Sequence, residues 1–151
     1  MNTALAFQLA NALVLPQWLL MIFAPRWQPT RWLMRHQPIP ALLALFYLYF
    51  LFFGTNTNNL ALDSFNTLAG VKALFTSDAA VLAGWIHYLA FDLVAGTYIL
   101  RSGRRRRIPH GLLVPCLLLC FLLGPTGFLI YWIIRKFYKR SYSRSDHSDE
   151  D

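Results

Sequence analysis

His87, Tyr88 and Asp92 stand inside an otherwise apolar run, residues 79–100, and are the residues best suited to chemistry in this chain. An imidazole, a phenol and a carboxylate can together supply a proton donor and a proton acceptor, the minimum for general acid–base catalysis. Gly84, Tyr88, Asp92 and Gly96 recur every four residues. On a helix they share one face, with two small residues that permit close approach and two polar groups between them. His87 and Phe91 form the neighbouring face. An ionised aspartate near the middle of a bilayer costs about 2.5–3.5 kcal/mol on insertion scales unless it has partners. Asp92 is therefore either a functional group or a polar pin between helices, with His87, Tyr88 or Asn11 as partners open to it. His87 alone says less, since an imidazole serves proton transfer and interhelical hydrogen bonding equally well.

The elements that must position these groups are helices in a membrane. Of 151 residues, 56% are hydrophobic and only 14% charged, against about a quarter charged in soluble domains; mean hydropathy is +0.40. Apolar runs lie at about 3–24, 38–53, 79–100 and 108–134. Each reads as one crossing of a bilayer, for which about 20 apolar helical residues are needed. Pro16 is expected to kink the first run without ending it, and Pro115, Gly124, Pro125 and Gly127 offer bends in the last. Residues 59–78 carry a partly apolar face and predict a short amphipathic helix at the interface. The expectation is an all-α, polytopic membrane protein: four transmembrane helices over 1–134, a short interfacial helix, and a charged tail over 135–151. The first run lacks a basic leader and a small-residue cleavage site, so it is not read as a cleaved signal.

The net charge of +7 is local in origin. Arg26, Arg31 and Arg35 follow the first run, Arg101 and Arg104 to Arg107 lie between the third and fourth, and Arg135, Lys136, Lys139, Arg140 and Arg144 follow the last. This juxtamembrane placement fits anionic lipid contact and orientation. Arg104, Arg105, Arg106, Arg107 and His110 are the expected headgroup contacts, with helix capping open as a second role for His110. Putting 25–38 and 101–108 on the cytoplasmic side leaves both termini opposite. Nucleic-acid motifs are absent, and no such partner is expected.

Other chemistries lack their signatures. Cys116 and Cys120 lie one turn apart and read as packing residues. No metal-ligand spacing, phosphate-binding loop or dinucleotide fingerprint occurs, so no metal or cofactor is expected.

The segment Gly84-Trp85-Ile86-His87-Tyr88-Leu89-Ala90-Phe91-Asp92-Leu93, then Arg106-Arg107-Ile108-Pro109-His110, Pro115-Cys116-Leu117 and Leu122-Leu123-Gly124-Pro125-Thr126-Gly127, resembles a known pattern. So do Leu15-Pro16-Gln17-Trp18-Leu19-Leu20 and Phe23-Ala24-Pro25-Arg26-Trp27. Together they resemble the abscisic-acid-deficient-four-like family of small integral membrane proteins, over roughly residues 5–134. That resemblance implies a part in neoxanthin synthesis, a redox-neutral conversion of a xanthophyll epoxide into an allene with a hydroxyl group. It also implies a bacterial inner membrane or a thylakoid membrane as the setting.

Two functions from different classes follow. One is a carotenoid isomerase using His87, Tyr88 and Asp92; the other is a noncatalytic protein that binds pigment, lipid or a membrane-protein partner, including a second copy. Aromatic residues, 16% of the chain, suit an elongated apolar groove in either case. A transporter is the third reading, weakened by the lack of internal repetition.

Overall fold

A computed structural model of the chain describes residues 2–54 and 65–138. Among these residues the protein is all-helical. Expectations for 55–64, including the start of the amphipathic segment, and for the tail beyond 138 lie outside them.

The first helix, α1 (Thr3–Phe23), starts where the Asn2 side chain accepts the Ala4 N–H at 2.9 Å, satisfying one donor of the open first turn. It runs through Pro16 without a break. A second helix, α2 (Gln28–His36), takes the stretch that carries Arg31 and Arg35. It closes at Gln37, whose φ of 50° turns the chain into α3 (Pro38–Tyr49); α3 then widens into a π-helical turn at Phe50–Gly54. After the short α4 (Leu68–Leu74), capped by Thr67, comes the central helix α5 (Asp78–Arg105), capped by Ser77. Its 28 residues are about 42 Å long. The chain ends in α6 (His110–Leu123) and α7 (Pro125–Phe137), so helix continues past residue 134.

Two helices, α1 and α5, are long and apolar enough to cross a membrane, and α2 with α3, bent by 41°, counts as a third span if read as one. The expected fourth crossing is a hairpin instead. Gly124, at φ 47° and ψ −97°, reverses the chain, and Pro125 starts α7 where its missing N–H costs nothing. A Cβ on Gly127 would run into the Cys116 carbonyl oxygen and the Cys120 amide nitrogen, so α7 lies backbone to backbone against α6. Both open ends of the hairpin sit at the arginine end of α5: Arg106 Nη1 donates to the Tyr138 carbonyl at 3.2 Å, and His110 Nε2 lies 2.7 Å from the Ile22 carbonyl. The closed end reaches Asp92, halfway along α5. Residue 138 therefore returns to the same end as residues 25–37 and 101–110. The expectation of both termini opposite that end is corrected for the last described residue.

Helix α5 is the spine, packed by α1, α3, α6 and α7. The buried core runs through Val14, Trp18 and Met21 of α1, Leu43 of α3, Ile86, Leu93 and Ile99 of α5, and Leu113 and Leu117 of α6. Gly96 and Gly84, expected to let helices approach, make room for rings. A Cβ on Gly96 would fall 2.5 Å from Trp18, and one on Gly84 would fall 2.6 Å from Phe75.

Candidate functional site

Helical spacing divides the three candidate residues. Asp92 lies five positions after His87, about 140° of helix rotation, whereas Tyr88 and Asp92 stand one turn apart. Asp92 is only 8% exposed and faces the hairpin tip, with Oδ1 2.6 Å from where a Gly124 Cβ would stand. One turn away the Tyr88 hydroxyl donates to the Leu122 carbonyl at 3.4 Å, at the same hairpin tip. Cys120 Sγ donates to the Asp92 backbone carbonyl at 3.6 Å. Asp92 thus faces the start of α7, where the unpaired N–H groups of a first turn favour a negative charge. Its Oδ2 is buried and has no hydrogen-bond partner.

His87 lies on the other side, exposed from the core, with its ring 5.6 Å from Tyr47 of α3 and 4.6 Å from Phe91. Tyr88 and Asp92 thus both face the hairpin tip, at Leu122 and Gly124, and His87 stands apart. Asn11, a possible partner of Asp92 by composition, accepts from Trp85 Nε1 at 3.2 Å and donates to the Phe7 carbonyl.

Two cavities meet beside this part of α5. The larger, about 790 Å³, lies among α3, α4 and α5 and is lined by Tyr47, Leu51, Phe65, Phe75, Gly84 and His87, among others. The second, about 640 Å³, lies toward α1 and α6 and is lined by Asn11, Phe75, Trp85, His87, Tyr88 and Phe121, among others. Phe75, Gly84 and His87 belong to both, so the two form adjoining chambers around one face of α5. Their walls are mainly apolar and aromatic, as expected of a site for an elongated apolar molecule. Tyr88 links the second chamber to Asp92. Sequence reasoning missed Tyr47, which carries no local signal in apolar surroundings, and Gly124 as a site neighbour, whose importance depends on Asp92.

The basic residues also divide. Arg101 donates to the Met34 carbonyl, Arg104 to the Pro25 carbonyl and Arg106 to the Tyr138 carbonyl, while His110 meets that of Ile22. These carbonyls lie in or just beyond the last turns of α2, α1 and α7, so these four side chains cap helix ends that carry partial negative charge. Arg105 and Arg107 make no such bond among the described residues.

A polar pair not singled out from sequence lies deeper. Gln17 Nε2 donates to Thr97 Oγ1 at 3.3 Å, tying α1 to α5. Cys116 and Cys120 are free and buried, consistent with packing.

A family model described as ABA DEFICIENT 4-like matches residues 5–131, a span holding both chambers' lining and the Asp92 contacts. Protein ABA DEFICIENT 4, chloroplastic, from Arabidopsis thaliana, is 26% identical over 141 residues, covering 90% of this chain and 63% of that protein. The chain thus spans less than two thirds of that relative's length. No solved structure matches.

Proposed function

Since this chain belongs to the ABA DEFICIENT 4-like family, we propose that it serves carotenoid metabolism within the membrane, seating a xanthophyll end group beside α5 and isomerising its epoxide. The observation that carries this reading is Tyr88, which lines an aromatic chamber together with His87 and stands one helical turn from the buried Asp92. Opening the epoxide to an allenic alcohol needs a proton on the oxygen as its bond to the ring carbon breaks. It also needs a base to take a proton from the neighbouring chain carbon, whose C–H electrons form the cumulated double bond. No electrons leave the substrate and its mass is unchanged. Tyr88, braced by Asp92, is the proposed donor, and His87 on the shared wall is the proposed acceptor. The name of the Arabidopsis relative puts that protein in the chloroplast; this supports a thylakoid membrane as the setting, whereas neither comparison supports a bacterial inner membrane.

Incubation of purified protein in lipid with epoxidised and unepoxidised xanthophylls, followed by chromatography and mass analysis, tests the proposal. A product of unchanged mass from the epoxide alone supports it. Retention without conversion supports the second reading, a carotenoid-binding protein, which the apolar chamber walls favour. Neither retention nor conversion across a panel of carotenoids rejects both.

A further inference from the structure

At the arginine end, a third cavity of about 470 Å³ runs along α5 and is lined by Val94, Tyr98, Arg101, Ser102, Arg105 and Arg106, among others. These positions recur at three- and four-residue intervals and form one stripe of the helix. From Val94 to Arg106 the stripe is about 18 Å long, polar at its outer end and walled by Val94 and the exposed Tyr98 ring at its inner end. Arg135 reaches the same wall, donating to the Tyr98 hydroxyl at 2.9 Å. Among the described residues the carboxylates are Asp78, at the opposite end of α5, and Asp92, in the hairpin contact. The outer end thus gathers guanidinium groups with no described carboxylate to neutralise them. Arg101 and Arg106 each bond a backbone carbonyl through one nitrogen, leaving other donors of the fork free.

We infer that this groove binds an anionic glycerolipid, with its singly charged headgroup held by Arg101, Ser102, Arg105 and Arg106 and its chains laid along Tyr98 and Val94. Guanidinium forks match tetrahedral oxyanions in geometry as well as charge. The polar-to-apolar gradient selects an amphiphile over a free anion, and the placement of the groove at a helix end in an apolar bundle puts its mouth at headgroup depth. The neighbouring cluster of Arg26, Arg104, Arg107 and His110 lines a separate cavity. It supplies a comparison of equal charge.

Native mass spectrometry of the full chain in neutral detergent, with phosphatidylglycerol or phosphatidylcholine added, tests the site. Phosphatidylglycerol is expected to bind at least about tenfold more tightly than phosphatidylcholine, and Arg105→Gln with Ser102→Ala to remove most of that preference. Arg107→Gln removes the same charge elsewhere and is expected to change affinity by less than about twofold. Circular dichroism checks folding; should the double variant misfold, Arg105→Lys keeps the charge, loses the fork and is expected to lower affinity measurably. Equal losses from Arg105→Gln and Arg107→Gln, absence of a headgroup preference, or full displacement by millimolar inorganic phosphate would each overturn the assignment, the last in favour of a free oxyanion site.

Discussion

The Asp92 carboxylate occupies the space that a side chain on Gly124 would need: Oδ1 lies 2.6 Å from the position of a Gly124 Cβ. One contact joins the middle of the central helix to the tip of the hairpin. The same tip holds Tyr88, whose hydroxyl donates to the Leu122 carbonyl at the wall of the aromatic chamber.

Gly124→Ala should destabilise the protein by about 2–3 kcal/mol, because it adds a strained positive φ to a steric conflict with Asp92. Gly111→Ala is the control, since a Cβ there meets nothing within 4 Å. Thermal unfolding in detergent should separate the two; equal melting temperatures would mean that the tip tolerates a side chain.

Gly127→Val should prevent α6 and α7 from closing. Its Cβ would meet backbone atoms of Cys116 and Cys120, which cannot turn aside as a flexible side chain can, and the cost should exceed about 3 kcal/mol. Crosslinking of cysteines placed at Leu112 and Ile134 would report hairpin closure, and efficient crosslinking in the valine variant would contradict the close approach.

Accessibility labelling in a variant without Cys116 and Cys120 should put cysteines at the exposed positions Arg107 and Phe137 on one side of the membrane and a cysteine at Lys72 on the other. Every described Lys or Arg except Lys72 then lies on a single side, the distribution that the positive-inside rule favours. Labelling of Phe137 together with Lys72 would restore the fourth full crossing.

Asp92→Asn keeps size and hydrogen-bonding capacity while removing the charge, so the fold should lose no more than about 1 kcal/mol. If Asp92 orients Tyr88 for proton transfer, turnover of a xanthophyll epoxide should fall at least about tenfold with ligand retention preserved. Unchanged turnover in a folded Asp92→Asn variant would confine Asp92 to holding the hairpin.

Gly84→Leu should fill the boundary shared by the two chambers and weaken polyene binding by about tenfold, on the scale of a few lost apolar contacts. Phe75 faces this position from an exposed segment and can yield, so helix content should be retained. Carotenoid absorbance retained on the purified variant at the wild-type level would place the polyene elsewhere.

Much was legible in residue types and spacing. Long apolar runs dictate helices in a membrane because an unpaired backbone is too costly there, and four-residue periodicity puts Tyr88 beside Asp92. The family pattern is likewise written in the order of residues. What one-dimensional spacing could not decide was which polar groups meet across helices. His87 and Asp92 are close in sequence yet diverge by rotation about α5, and Asn11 turns to Trp85. Above all, residues 108–134 have the composition of a crossing and the fold of a hairpin. Gly124 permits the reversal through its positive φ, Gly127 lets the two backbones touch, and Asp92 stands at the tip from 32 positions earlier in the chain. Only packing in three dimensions brings those causes together.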